Sequence, residues 1–242
     1  MITVDFSRLE LAPGSRVLDM GCGSGRHLAE AARFDNVTVV GSDLCFEDLK
    51  KARERMVFHQ EVGETGGGPW DTMVSDVTNL PFADQSFDLV ICSEVLEHVP
   101  DHNRAVSELG RVLKDDGTLV VSVPRFLPER ICWALSDDYY NANGGHIRIY
   151  HRKTLYRLLE NAGFTPWADH YAHGIHSPYW WLKCLVGPNR TDSKLVNLYH
   201  DFLVWDIMKK PRITRTLDRL TTPVIGKSMV VYCAKNGARD HH

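Results

Sequence analysis

The sequence predicts an α/β fold: a doubly wound, mostly parallel sheet of seven strands, with a helical insertion before the last strand. Three observations predict it. Short apolar β runs alternate with helix-period segments from residue 16 onward, a glycine-rich turn directly follows the first run, and acidic residues stand at the ends of the first three runs. The chain has 242 residues, enough for one substantial core, and is read as a single domain over 1–242.

Arg16 to Met20 is a β run that breaks at Gly21-Cys22-Gly23-Ser24-Gly25, and Arg26 to Phe34 has helical spacing with Leu28, Ala31 and Ala32 inward. Val37 to Gly41 is the second strand, closed by Ser42 and Asp43, and Glu47 to Met56 the second helix, with Leu49 and Ala52 on its apolar side. Gly63 to Pro69 holds three glycines in a row and reads as a flexible surface turn before a short strand at Thr72 to Ser75. Phe87 to Cys92 is apolar almost throughout, as expected for a parallel strand covered on both faces, and Asp101 to Lys114 is the returning helix. The turn Asp115-Asp116-Gly117 leads to a strand from Thr118 to Val123, stopped by Pro124. Residues 16–124 form the expected ligand-binding core.

Residues 125–151 are expected to be an irregular lid over the carboxyl ends of the strands, where ligands bind in such sheets. Arg152 to Ala162 is a helix closed by Gly163, and Phe164 to Ala168 the next strand. Residues 174–226 are a second irregular block, helical from Leu195 to Lys209, before the final strand at Ser228 to Ala234.

Composition excludes some classes. Charged residues make up 24%, hydrophobic residues 43%, and a net charge of −3 provides no bulk attraction to nucleic acid. Met1 to Leu11 carries charges rather than a signal-like apolar run, and no segment has the length of a membrane span, so a cytoplasmic location is expected. The six cysteines are scattered without a C-x-x-C pair and are expected to be reduced thiols. His241 and His242 carry no functional expectation.

The glycine turn lets backbone approach a nucleotide where a Cβ would collide, but its third glycine comes at Gly25 and not at the position of Arg26, unlike the dinucleotide fingerprint. Asp19, two residues before Gly21, would repel a diphosphate and suit a cationic amino-acid group and a sulfonium. Asp43 lies about 20 residues beyond the turn, where a carboxylate accepts ribose hydroxyls. Asp76 ends the third strand, placed to take an adenine amino group while the Val77 N–H meets a ring nitrogen.

This ordered set resembles the class I S-adenosylmethionine (SAM)-dependent methyltransferases, Rossmann-like enzymes, and within them the type 11 group. The resemblance rests on Val17 to Gly25, Val40 to Leu44, Asp76 to Phe82, Ser86 to Asp88 and Ser93 to Val99. It implies that Gly21, Gly23 and Gly25 hold the methionine moiety, Asp43 the ribose, Asp76 and Val77 the adenine, and Ser93 the amino group, with Asp19, His27 and Leu44 in the same cofactor set. SAM is the implied cofactor.

Methyl transfer needs an acceptor atom behind the methyl group, deprotonated as the bond forms. No Asn-Pro-Pro-Tyr motif of nitrogen methylation follows the fourth strand, and a hydroxyl acceptor is expected. Glu94, Glu97 and His98 stand at i, i+3 and i+4, able to face one way on a helical turn. One option is a base, His98, tuned by a carboxylate such as Glu94; the other is a metal site for Mg²⁺. Glu-x-x-Glu-His is similar to metal-dependent ubiquinone-pathway O-methyltransferases, which carry a later histidine in a Gly-x-His context, here Gly144-Gly145-His146. His146 is the second candidate base, and the ligand set would be Glu94, Glu97, His98 and His146.

His170, His173 and His176 are spaced by three, but Gly174 and Pro178 interrupt a helix there, so an ordinary polar loop is expected rather than a zinc site. Trp133, Tyr139, Tyr140, Trp180 and Trp181 offer flat faces for a ring. A faint similarity to actinobacterial polysaccharide-pathway methyltransferases points to a small carbohydrate partner. Competing expectations are a phenol, quinone, lipid or amine acceptor, a non-catalytic SAM-binding module, and an NAD-linked dehydrogenase, which Asp19 and the early Gly25 disfavour.

Overall fold

The computed structural model describes residues 1–142, 144–209 and 211–235; His241 and His242 lie outside them. Its strands are β1 (Arg16–Met20), β2 (Thr38–Asp43), β3 (Trp70–Val74), β4 (Phe87–Ser93), β5 (Leu113–Pro124), β6 (Phe164–Ala172) and β7 (Ser228–Lys235). They form one seven-stranded sheet in the order β3-β2-β1-β4-β5-β7-β6. All pairings from β3 to β5 are parallel, and β7 runs antiparallel to both β5 and β6. The order reverses between β1 and β4, which opens a crevice at their carboxyl ends.

The helices are α1 (Arg26–Ala31), α2 (Phe46–Glu61), α3 (His102–Val112), α4 (Phe126–Leu135), α5 (Asp137–Tyr140), α6 (Arg152–Asn161), α7 (Ser177–Val186), α8 (Lys194–Lys209) and α9 (Arg212–Ile225). Alternate side chains of the central strands serve two cores. Leu18, Met20, Val90 and Cys92 pack with Ala105, Leu109, Leu155 and Leu159 of α3 and α6 on one face. Val17, Leu89, Ile91 and Val120 pack with Leu28, Ala31 and Met56 of α1 and α2 on the other. Each fully buried Leu or Ile contributes roughly 1.5–3 kcal/mol, so the doubly covered strands anchor whatever is mounted on their ends.

Several boundaries differ from the sequence reading. The first helix stops at Ala31, because the chain must turn under the 66–68 loop: Gly66 N–H donates to Ala32 O, and Asn36 N–H to Gly66 O, both at 2.8 Å. The triple glycine is therefore a fitted contact rather than a flexible turn. A Cβ on Gly66 or Gly68 would lie 2.0 Å from the carbonyl oxygen of Phe34 or Val37. Asp115, Asp116 and Gly117 fall within β5, at a register shift where Phe87 faces Leu113 and Leu89 faces Thr118. The lid and insertion expected to be irregular are largely helical, as α4, α5, α7 and α9. Pro178 starts α7 instead of breaking a helix, since its missing N–H falls in the first turn.

No helix among the described residues is long and apolar enough to cross a membrane. The cysteines are all free thiols, and only Cys45 is exposed.

Candidate active site

The carboxyl ends of β1, β2 and β4, with the segment after β3, frame a cavity of about 500 Å³ lined by Gly21, Asp43, Leu44, Asp76, Val77 and His98, among others. Gly21, Gly23 and Gly25 all have positive φ, at 73°, 50° and 74°. At Gly21 a side chain is excluded twice over, because its Cβ would also lie 2.1 Å from Val95 Cγ2. Asp43 braces this turn: Oδ2 accepts the Gly23 N–H and Oδ1 the Cys45 N–H, each at 2.8 Å. Asp76 accepts the Thr78 N–H and hydroxyl through Oδ1, at 2.8 and 2.9 Å, which turns the chain so that buried Val77 meets the cavity.

Five residues of the expected cofactor set do not line this cavity: Gly23 and Gly25, which continue the turn, and Asp19, His27 and Ser93. Asp19 is buried behind the turn, where Oδ2 accepts the Leu28 N–H at 2.9 Å and ties β1 to α1. Its Oδ1 is buried with no partner, and burial pushes the carboxyl up to about 7. His27 faces away from the cavity, because Nε2 accepts backbone N–H groups of Thr3 at 3.0 Å and Val4 at 3.4 Å. Ser93 is held in the sheet by the Ser122 hydroxyl at 2.7 Å.

After Ser93 the chain leaves β4 through Glu94 in the left-handed region, with φ 58°. A non-glycine residue held there carries strain of about 1–3 kcal/mol, repaid locally by hydrogen bonds. Glu94 N–H donates to Ser122 O at 2.9 Å, and its Oε1 accepts the Ser122 hydroxyl at 3.0 Å. Glu94 therefore points at β5, and Glu97 and His98 are delivered elsewhere.

Beside them lies the 144–148 segment, stapled down by backbone contacts. Ile147 N–H donates to Glu97 O at 3.0 Å, and the Arg148 guanidinium donates to the carbonyls of Leu96, Val99 and Pro100. His98 and His146 consequently sit with ring centroids 4.9 Å apart. His98 Nδ1 donates to Gly145 O at 3.1 Å, leaving Nε2 with its lone pair. Burial and neighbouring His146 hold the His98 imidazolium below its ordinary range.

His146 Nδ1 donates to Glu129 Oε1 at 2.5 Å, and Glu129 is 2% exposed. Tyr139 donates to the other Glu129 oxygen at 3.5 Å. Glu129 is a site residue that the sequence reading missed. Its signal is faint: a charged residue three before Cys132, on the buried face of the largely apolar α4.

Glu97 completes the group. Both its carboxylate oxygens are buried without a hydrogen-bond partner, and Oε1 lies 3.9 Å from His98 Nε2 and 4.0 Å from His146 Nε2. Burial, then repulsion from Glu94, pushes its carboxyl well above the ordinary range. Glu97, His98 and His146 offer ligand atoms within 4.8 Å of one another, the one such cluster among the described residues. Glu94 is outside it.

A second cavity, about 440 Å³, opens between His98, Tyr140, Gly145 and His146. It shares His98 with the first, so that two spaces meet at the histidine pair. A space of similar size, about 530 Å³, lies between Thr3, His170, Arg215 and Thr222 on another side, but carries none of the strand-end carboxylates.

The 170–176 histidines do not form the polar loop expected from sequence. His170 is on β6, stacked on Tyr232, His173 contacts the Thr3 hydroxyl at 3.2 Å, and His176 is buried beside α7.

Comparison with known proteins follows the same outline. A family model described as "Methyltransferase domain" matches residues 4–169. The chain is 32% identical over 171 residues to sterol 24-C-methyltransferase of Yarrowia lipolytica, covering 65% of the chain and 41% of that protein. It is 31% identical over 113 residues to 27-O-demethylrifamycin SV methyltransferase of Amycolatopsis mediterranei, covering 47% and 40%. The chain thus spans about two fifths of the length of these curated relatives. A crystal structure from Bacillus halodurans, titled as a methyltransferase, superposes with TM-score 0.63 at 22% identity over 96% of both chains.

Proposed function

The chain belongs to the class I SAM-dependent methyltransferase family, and from that premise we propose that it methylates a hydroxyl group, with His146 as the base. The single observation behind this is the Glu129–His146 pair at 2.5 Å, facing the space that meets the donor cavity at His98.

The residues present fit SAM. The turn at Gly21 and Gly23 offers backbone without side chains, Asp43 and Asp76 line the cavity in strand order, and the orphaned Oδ1 of Asp19 leaves an unused acceptor behind the turn. We assign the amino-acid end to the Gly21–Gly25 turn, the ribose to Asp43 beside Leu44, and the adenine to Asp76 and Val77. When bound, SAM supplies an electrophilic methyl group.

The rest is work for the chain's own side chains. Glu129 fixes the His146 tautomer with Nδ1 protonated, so Nε2 is the nitrogen that takes the acceptor's proton. The imidazolium that results is stabilised by the same buried carboxylate. Glu129 thus replaces Glu94 as the tuning acid, while His98 orients the acceptor between the two cavities. Tyr140 lines this side with a flat face that suits a ring-bearing acceptor such as a sugar, and Tyr139, its ring 6.4 Å from that of His146, and Trp180, 6.2 Å from Tyr139, extend the aromatic group behind it.

The clustering of Glu97, His98 and His146 favours a second reading, a bound divalent ion. Two imidazoles and one carboxylate suit a transition ion; Mg²⁺ prefers oxygen ligands, and Glu94 is turned away to Ser122. The residues present therefore do not fit the expected Mg²⁺ site.

Release of S-adenosylhomocysteine over a panel of sugars, phenols, lipids and amines tests the proposal. Asp43→Ala should weaken SAM binding by about tenfold or more, as a charged hydrogen-bond acceptor is lost. His146→Ala should bind SAM normally and lose about 10²–10⁴ in kcat. Normal turnover by His146→Ala would remove the base assignment, and a rate that collapses with a chelator and returns with Zn²⁺ or Mn²⁺ would favour the ion. SAM binding without turnover on any acceptor would leave a regulatory module.

A further inference from the structure

Helix α9 is mounted with its polar face inward. Thr214 is buried, Asp218 accepts the Ile175 N–H at 3.1 Å, and Thr222 Oγ1 accepts the Gly174 N–H at 3.1 Å. On the outer side Ile213, Leu217, Leu220 and Val224 follow at intervals of four, three and four, one helical stripe, with Ile213 83% and Leu220 70% exposed. Helix α8 buries Val196, Leu203 and Asp206 and leaves a second apolar set, Leu198, Trp205 and Met208, exposed. Single exposed leucines are ordinary on protein surfaces, but a periodic stripe on an inverted helix calls for a partner.

Charge decides which partner. Residues 194–225 hold six Lys and Arg against three Asp, in a chain whose net charge is −3. Lys194, Lys209, Arg212 and Arg219 are exposed beside the apolar stripes. A two-fold contact with a second copy would press this cationic patch against itself. An anionic bilayer complements it, since apolar residues enter the interface, arginines and lysines meet the headgroups, and a tryptophan such as Trp205 sits at the boundary.

We propose that the outer face of α8 and α9 docks on an anionic lipid surface. The C-terminal end of α9 is tied to the residue that follows β5: Arg125 donates through Nη1 to Thr222 O at 3.3 Å and through its N–H to Lys227 O at 2.7 Å.

Flotation of the full chain with phosphatidylcholine vesicles, with and without phosphatidylglycerol, is the test. Binding should require phosphatidylglycerol and weaken as salt rises. Leu220→Asp and, separately, Arg212→Glu/Arg219→Glu should each reduce bound protein by about tenfold, with unchanged SAM affinity and thermal unfolding as the check on folding. Absence of wild-type binding, or equal binding by wild type and variants, would overturn the proposal. So would a dimer in ultracentrifugation that Leu220→Asp dissolves without any vesicle binding, which assigns the face to a second copy. Binding is read without turnover, so failure here leaves the methyl-transfer proposal standing.

Discussion

At His27 the backbone N–H groups of Thr3 and Val4 both point at Nε2, so the ring is useful to the fold only while that nitrogen keeps its lone pair. Burial, aided by Arg26, lowers its pKa from 6.5 to about 3. Above pH 6.5 folded and unfolded chains carry the same neutral ring. Between about 6 and about 4 only the unfolded chain takes up a proton, so stability falls with falling pH, by about 1.4 kcal/mol per pH unit for this one group. His176, lowered to about 4 by burial, acts in the same direction. Urea unfolding of His27→Gln across that window should show a shallower slope, by about one proton's worth; an unchanged slope would mean that the ring titrates in the fold. The same residue shows what was legible at the candidate site. The cavity-lining residues Gly21, Asp43, Leu44, Asp76 and Val77 follow from strand-end positions, which order along the chain reveals. The partners of His27, Ser93, Glu94 and His146 do not, because each lies well away in sequence: Thr3 and Val4 for His27, Ser122 for both Ser93 and Glu94, and Glu129 for His146.

Among the elements, the loop at 66–68 and helix α9 differ from the sequence reading for opposite reasons. Glycines read as slack are in fact contact points, since the loop's backbone pairs with residues 32 and 36. Gly66→Ala should destabilise by about 2–4 kcal/mol, because its Cβ would meet the Phe34 carbonyl, which cannot move aside. Gly67→Ala, with φ 82° and open space around it, should cost only about 1–2 kcal/mol of backbone strain. Thermal melts of the two variants would rank them, and equal losses would show that the loop yields. The strands and the flanking helices α2, α3 and α6 were legible because hydrophobic burial and period agree there. In α9 the apolar stripe faces out and Pro223 lies inside the helix, so neither periodicity towards a core nor residue preference marks the element.

For the molecule as a whole, we read residues 1–235 as one cooperative unit, because the insertion carrying α7 to α9 returns into the sheet as β7. Calorimetry should then show a single transition, and S-adenosylhomocysteine at a hundred times its Kd should raise stability by about 2.7 kcal/mol. Two transitions, only one of them moving with ligand, would divide the insertion from the core. The place of β7 has one more consequence, for synthesis. β7, the last of the described strands, lies between β5 and β6, so while the ribosome is still making the insertion, the open edge of β5 has no neighbour to satisfy its backbone. A nascent or prematurely terminated polypeptide exposes that edge to other chains, which makes the interval before residue 235 emerges the period of greatest need for a chaperone.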